Sequence, residues 1–258
     1  MRRGPRPGPP PGTRRTIRID VQYEGTAYVG WQRQLKGASI HGLLERALGK
    51  IADEKVTLFS AGRTDAGVHA RQQVASFSLR TSRTPVEAFV DGTNTLLPPD
   101  IRVYRSEEAE LLFHAPEAKE KTYRYFFQIG AEPLVFLRNY TWHVRQALDL
   151  EAMREATKQL VGTHDFAAFR TRGTETKTTE RTVREAVWGS GPLELLYFEI
   201  TADGFLKQMV RNIVGTLVEV GQGKRKPSDI PDILASKRRE KSGVSAPAQG
   251  LFLWRVVY

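Results

Sequence analysis

Cysteine is absent from this sequence of 258 residues. Its absence excludes disulfide bonds, thiolate metal ligands and thiol catalysis, and it is compatible with the reducing conditions of the cytoplasm. The sequence also lacks any apolar run near the roughly 18 residues that a membrane-spanning helix requires. We therefore expect a cytoplasmic protein with no membrane-embedded segment.

The N-terminal segment lacks the apolar middle of a signal peptide. It reads MRRGPRPGPPPGTRRT and consists mainly of Pro, Gly and Arg. Such a composition cannot bury enough apolar surface to fold, so residues 1–15 are predicted to form a disordered basic tail. Two interpretations stay open for this tail: contact with phosphate, or a solvated extension with no specific partner.

The sequence has more positively charged than negatively charged residues. A formal net charge of +10 favours a polyanionic partner such as nucleic acid or an acidic membrane surface, and nucleic acid is the first interpretation. Hydrophobic residues make up 40% of the chain, which supplies a core for one large domain or two smaller ones.

Hydrophobic periodicity predicts a strand, a helix, two strands, a helix and a strand in the first half. Ile17, Ile19, Val21 and Tyr23 alternate with polar residues, which indicates a half-buried strand, and Ser39 is the predicted N-cap of the first helix. The predicted strands are 17–23, 56–59, 74–79 and 101–105, and the predicted helices are 40–51 and 85–97.

The same βαββαβ order recurs in the second half, with one additional short helix at 228–236. The predicted strands are 122–129, 182–188, 193–201 and 251–257, and the predicted helices are 150–160 and 206–220. The pattern predicts an α+β fold of two ferredoxin-like halves, residues 16–110 and 111–258, whose sheets could join around a cleft.

A glycine-bounded segment, SAGRTDAGVHA at 60–70, carries a lone carboxylate. Gly62 and Gly67 enclose four residues as in a phosphate-binding P-loop, but Val68 and His69 stand where Lys and Ser or Thr are required. Asp65 would also repel the phosphates. The five histidines show no paired ligand spacing and no G-x-S-x-G elbow is present, so neither a metal site nor a nucleophilic serine is predicted.

Two interpretations of Asp65 remain. Arg63 lies two residues away and could keep the carboxylate ionised and nucleophilic. Alternatively, Asp65 is a turn residue that hydrogen-bonds its own backbone beside a loop arginine, which turn preference alone favours.

Several separated motifs, taken together, resemble those of the TruA family of tRNA pseudouridine synthases. They are GRTDAGVHA, KTYRY at 121–125, DFAAFR at 165–170 and MVRNIVG at 209–215, and YEGTAYVGWQRQ and GLFL extend the resemblance over residues 14–258. The resemblance implies a pseudo-duplicated pseudouridine-synthase fold, with two ferredoxin-like halves, a mainly antiparallel central sheet and a basic cleft.

The resemblance also implies an isomerase in which Asp65 is the catalytic carboxylate. Uracil is detached from its ribose at N1 and reattached through C5, so no cofactor and no metal are expected. Whether Asp65 adds to C1′ or C6, or assists elimination to a glycal, stays open.

Three further residues match positions of the family's active site. Tyr123 should stack on the uracil, Arg211 should pair with Asp65, and Arg63 should help the target nucleotide out of its stack. By pattern alone, Tyr123 could belong to a packed strand face, and Arg211 would be a solvated arginine opposite the apolar face of its helix.

The partners implied are tRNA and a second copy of the chain in a homodimer. The family modifies uridines in the anticodon stem-loop, at tRNA positions 38, 39 and 40. The remaining candidate phosphate contacts are Arg14, Arg15, Arg170, Arg172, Lys224, Arg225 and Lys226.

A non-catalytic, tandem RRM-like RNA-binding or chaperone protein is the alternative. The TYRYFFQI strand is aromatic, as an RNA-stacking sheet would be, but it lacks the residue order of an RRM.

Overall fold

A computed structural model describes residues 14–173, 176–191, 193 and 195–258. Residues 1–13 of the predicted tail lie outside the described residues. The chain divides into two compact units, Met1–Ala118 and Lys119–Tyr258. Within the described ranges, no helix is both long and apolar enough to cross a membrane.

The first unit has the predicted βαββαβ order. Its elements are β1 (Arg15–Tyr23), α1 (Ile40–Ala52), β2 (Phe59–Ser60), β3 (His69–Leu79), α2 (Ala88–Leu96) and β4 (Ile101–Ala109). The strands lie in the order β4-β1-β3-β2 and every neighbouring pair is antiparallel. This arrangement is the ferredoxin-like sheet that the sequence predicted.

Strand β1 is buried on both faces, so the prediction of a half-buried strand was wrong. The polar residues Thr16 and Asp20 are only 3% and 1% exposed. Arg18 Nε lies 3.0 Å from Asp20 Oδ1, and Gln72 Nε2 donates to Asp20 Oδ2 at 3.1 Å. Burial is tolerated here because the carboxylate has a charged partner and hydrogen bonds.

Arg15 also departs from its prediction as a tail residue and phosphate contact. It is the first residue of β1, and its side chain is 6% exposed. Arg15 Nη2 lies 3.1 Å from Glu108 Oε2, and Nη1 donates to the Thr84 carbonyl oxygen at 3.0 Å. Because a buried arginine with these partners is unavailable to phosphate, Arg15 belongs to the internal packing of the unit.

The second unit contains the same order with additions. Its elements are β5 (Glu120–Ile129), β6 (Trp142–Val144), α3 (Leu150–Lys158), β7 (Gly162–Asp165), β8 (Glu180–Ser190), β9 (Leu196–Ala202), α4 (Met209–Gly221), α5 (Asp229–Ser236) and β10 (Leu251–Val257). The strands lie in the antiparallel order β10-β5-β9-β8-β7, and β6 runs parallel to β5. Without β6, β7 and α5, the ferredoxin-like order remains.

The helices begin and end for local reasons. Ser39 caps α1 as predicted, because its Oγ accepts a hydrogen bond from Gly42 N at 3.2 Å. Helix α2 begins at Ala88 and not at Pro85, since Pro85 and its neighbours form a tighter turn in which Ala88 N donates to the Pro85 carbonyl oxygen. Eleven of the 13 residues of α4 are buried, as expected for a helix that is apolar nearly all round.

Candidate active site

The loop between β2 and β3 presents Asp65. The side chain of Asp65 is half-buried, whereas Arg63 is exposed and Thr64 is buried. Val68 N donates to the Asp65 carbonyl oxygen at 3.1 Å, and Gly67 has a φ of 77°, in the left-handed region that favours glycine. The loop therefore turns sharply directly after the carboxylate.

Thr64, the residue before the carboxylate, is tied to β1 and to the segment that follows it. The hydroxyls of Tyr23 and Thr64 are 2.7 Å apart in a buried hydrogen bond, and Trp31 N donates to the Thr64 carbonyl oxygen at 3.0 Å. Burial raises the pKa of Tyr23 well above its ordinary value, partly offset by its hydrogen bond to Thr64, so the phenol stays neutral. These bonds hold the backbone that carries Asp65.

Gly25 and Gly30, in the segment that follows β1, lie against the Asp65 loop. A Cβ on Gly30, which has a φ of +105°, would stand 2.7 Å from the Thr64 carbonyl oxygen and 3.0 Å from the Asp65 carbonyl carbon. A Cβ on Gly25 would stand 2.1 Å from the Val68 carbonyl oxygen. Only glycine permits so close an approach of backbone to backbone.

Residues 23–31 were missed by the sequence reasoning as part of the site. Their signal was present in the YEGTAYVGW stretch, in which two glycines alternate with aromatic residues at and after the end of the first predicted strand. The buried His69 adds a further contact, since its Nδ1 accepts a hydrogen bond from Gly25 N at 3.0 Å. The stretch is the support of the Asp65 loop.

Tyr123 lies in the middle of β5, opposite Ile200 of β9 and Leu253 of β10. It is 7% exposed, and its ring meets that of Phe205 edge to face, with centroids 5.0 Å apart. Tyr125 on the same face is fully buried. The packed strand face, one of the two interpretations of this tyrosine, is therefore present, and stacking on uracil stays a prediction.

Arg211 is half-buried on α4, so the prediction of a solvated arginine from spacing alone was wrong. Its Nε donates to the Ala246 carbonyl oxygen at 2.7 Å, and Ala246 N donates back to the Arg211 carbonyl oxygen at 3.0 Å. Burial raises the pKa of Tyr125, and the Arg211 charge partly opposes this shift. The guanidinium is thus oriented by a backbone carbonyl near the aromatic face of β5.

The segment that anchors Arg211 is itself pressed against α4. A Cβ on Gly215 would stand 1.7 Å from the Val244 carbonyl oxygen, two residues before Ala246. Glycine is required at this position of the helix for the close contact, and the contact sets the distance between α4 and the Arg211 anchor.

Arg63 and Asp65 thus share one loop of the first unit, whereas Tyr123 and Arg211 lie on β5 and α4 of the second. The pairing of Asp65 with Arg211 stays a prediction. Within the described part of the chain, no three His, Asp or Glu side chains are grouped as metal ligands would be.

The other candidate cations differ in their availability. Arg14, Arg172, Lys224 and Lys226 are exposed, and Arg170 is half-buried. Arg225 Nε lies 2.5 Å from Glu219 Oε2, and its side chain is 26% exposed. Because this ion pair neutralises its charge, Arg225 is the least suited of the five second-unit cations to hold phosphate.

Comparison with known proteins gives a consistent result for both units. A family model described as tRNA pseudouridine synthase matches residues 19–116 and 156–258. The chain is 43% identical over 245 residues to tRNA pseudouridine synthase A of Acetivibrio thermocellus, which covers 95% of this chain and 100% of that protein. It is 46% identical over 246 residues to the protein of the same name in Moorella thermoacetica, with 94% and 99% covered.

Solved structures are more distant. A Cbf5-Nop10-Gar1 complex matches with a TM-score of 0.39 and 11% identity over 92% of this chain. An H/ACA RNP bound to a substrate RNA containing 2'-deoxyuridine matches with a TM-score of 0.37 and 10% identity over 79%. The chain spans less than half the length of those two solved chains, 48% and 44% respectively.

Proposed function

Because this chain belongs to the tRNA pseudouridine synthase family, we propose that it isomerises uridine to pseudouridine in tRNA with Asp65 as the catalytic carboxylate. The observation that carries the assignment is the placement of Asp65 on a supported loop. Its neighbour Thr64 is held by Tyr23 and Trp31, and Gly30 lies against its backbone. A loop backbone held in this way fixes the position from which the carboxylate extends before substrate arrives, and such positioning favours efficient catalysis.

The chemistry requires one carboxylate and no added reactant. Breaking the bond between N1 and C1′ builds positive charge on C1′, which a carboxylate stabilises or captures covalently. A new bond then forms between C5 and C1′, C5 loses its proton, and N1 gains one. Substrate and product are isomers, so the reaction consumes no nucleotide, electron donor or water.

The remaining site residues receive roles that suit their surroundings. Arg63 is exposed beside the carboxylate, where it can enter the space vacated by a nucleotide that leaves its stack. Arg211, anchored through Ala246, pairs with Asp65 and keeps it ionised. Tyr123 offers a ring for stacking on the uracil.

The substrate region we propose is the anticodon stem-loop, bound by a homodimer. The exposed cations Arg14, Arg172, Lys224 and Lys226 suit contacts with phosphates, which position RNA without reading its sequence. Recognition of this kind depends on RNA shape and permits action on several tRNAs.

The RNA-binding alternative without chemistry is not favoured. It predicts a chain that resembles RNA-binding modules, whereas the family match covers both units and curated relatives named as synthases are 43% and 46% identical over nearly the whole chain.

The proposed function is tested by incubating the purified protein with unmodified tRNA transcript and no cofactor, then mapping pseudouridine by mass spectrometry. We expect Asp65→Asn to lose activity while its Kd for tRNA stays within a few-fold of wild type. Asp53→Asn, at the exposed C-cap of α1, is the matched control and should remain active. Conversion by Asp65→Asn at the wild-type rate would show that the carboxylate is not catalytic.

A further inference from the structure

A concave surface lies in the first unit where β1 begins and β3 ends. Arg15 of β1 pairs with Leu79 of β3, so the flanking residues Arg14 and Arg80 stand at the same end of the sheet. We call this surface the Phe59 cleft, and the residues lining it include Arg14, Glu54, Lys55, Phe59, Ser78 and Arg80.

An exposed aromatic ring forms one wall of the Phe59 cleft. Phe59 lies on the short strand β2 and pairs with Ser76 of β3, yet it is 46% exposed. Its ring lies 5.0 Å from that of His114, at an angle of 59°. The contact braces one edge of the phenyl ring and leaves much of its surface in solvent.

Three exposed cations line the cleft together with this ring. In the part of the chain that the structure describes, Arg14, Lys55 and Arg80 form no ion pair with a carboxylate. By contrast, Arg15 of the same unit pairs with Glu108, and Arg33 pairs with Glu45. With three cations and one carboxylate among the residues named above, the cleft keeps a net positive charge.

The carboxylate that lines the cleft, Glu54, is engaged in hydrogen bonds. Glu54 Oε1 accepts a hydrogen bond from Arg80 N at 2.8 Å, and Oε2 accepts from Thr81 N at 3.1 Å and from the Thr81 hydroxyl at 2.7 Å. These bonds tie the end of β3 to the segment after α1, so Glu54 shapes the cleft and the cations remain the groups that face a ligand.

An exposed ring flanked by unpaired cations is the arrangement with which proteins bind single-stranded nucleic acid. A base stacks on the ring and the neighbouring phosphates meet the cations. The chain runs from Phe59 to Asp65 in six residues, a span of at most about 21 Å. One RNA molecule can therefore occupy the cleft and the Asp65 loop together.

We propose that the Phe59 cleft binds an unpaired nucleotide of the tRNA substrate, with its base stacked on Phe59 and its phosphates held by Arg14, Lys55 and Arg80. The proposal rests on the proposed function only in taking tRNA as the substrate. It adds a second contact outside the Asp65 loop, one that contributes to binding and not to the chemical step.

The test is the Kd for unmodified tRNA, measured in the Asp65→Asn background so that no conversion takes place. We expect Phe59→Ala to weaken binding about tenfold, since stacking of one base is worth roughly that factor or more, and Phe59→Tyr to bind nearly as wild type. Phe136→Ala, at a ring 84% exposed in the second unit, is the matched control and should leave the Kd unchanged.

The contribution of the cations is measured separately, through the salt dependence of the Kd. Replacing both Arg14 and Arg80 with Gln should reduce the slope of log Kd against log salt concentration by about one to two, since each phosphate contact contributes close to one to that slope. Chemical probing should show one or a few unpaired tRNA nucleotides that wild type protects and Phe59→Ala does not.

Two results would overturn the proposal. One is a Phe59→Ala variant that folds normally and binds tRNA as wild type at every salt concentration. The other is a Phe59→Ala variant with Asp65 intact in which only kcat at saturating tRNA falls. That result would mean that Phe59 acts through the catalytic loop. Neither result bears on whether Asp65 is catalytic, because the pseudouridine assay decides that independently.

Discussion

The loop that carries Asp65 and the strand that carries Tyr123 are held in place by different means. Asp65 stands on irregular backbone, whose position depends on bonds from a segment that is distant in sequence. Tyr123 stands on a strand paired on both sides, so its direction follows from the register with β9 and β10. Changes beneath the loop should therefore act mainly on catalysis, and changes in the packing of the second unit mainly on stability.

The largest expected effect is on the stability of the second unit. Gly215→Ala places a Cβ 1.7 Å from the Val244 carbonyl oxygen, and backbone cannot rotate away as a side chain can. We expect a loss of about 3 kcal/mol or more in the free energy of unfolding, measured with denaturant. Gly49→Ala in α1, whose Cβ would meet its nearest atom at 3.3 Å, is the control and should change stability by less than about 1 kcal/mol. Small and equal losses of stability in Gly215→Ala and Gly49→Ala would contradict the conclusion that α4 requires glycine at position 215.

The next effect should fall on catalysis. Gly30→Ala forces a residue with a Cβ to a φ of +105° and against Thr64 and Asp65, which must displace the loop. A displacement near 1 Å at a reacting group lowers kcat by about 100-fold. The measurement is kcat at saturating tRNA.

Gly130→Ala is the control for backbone strain alone. Its φ is +135°, but a Cβ there meets nothing within 4 Å. It should lose some stability and keep its kcat. If both glycine variants lose kcat equally, the contact between Gly30 and the loop has no special role.

The smallest expected effect concerns one hydroxyl group, that of Tyr23. Tyr23→Phe removes the 2.7 Å hydrogen bond to Thr64 while keeping the ring, so kcat should fall roughly tenfold with little change in the Kd for tRNA. Tyr28→Phe is the matched control from the same segment, because its hydroxyl donates to Asp100 and not to the loop. Equal kcat values for the two variants would show that the bond to Thr64 does not position Asp65.

Much of the fold could be predicted because the signals are local. The period of two in β5, the helical spacing of α1 and the cap at Ser39 depend on neighbours a few residues away. The strands β6 and β7 escaped prediction because three or four residues are too few to show a period. The predicted strand at 193–201 begins at Leu196, since periodicity locates the end of an element poorly.

The candidate site was predicted unevenly for the same reason. Asp65 and Arg63 stand out through their motif, but the partners that hold the loop lie far away in sequence, since Tyr23 and Thr64 are 41 positions apart. The surroundings of Arg15 and Arg211 also could not be read from spacing. Whether an arginine is solvated depends on which carboxylates and carbonyl groups the rest of the chain brings to it.

The sequence by itself determined the repeated βαββαβ order, the positive charge and the motif around Asp65, because periodicity, composition and residue type are properties of short stretches of chain. Only the tertiary structure decided that YEGTAYVGW supports the Asp65 loop, that Arg15 is internal, and that the exposed Phe59 shares a cleft with three exposed cations. These features arise from contacts between segments distant in sequence, and such contacts depend on how the elements pack.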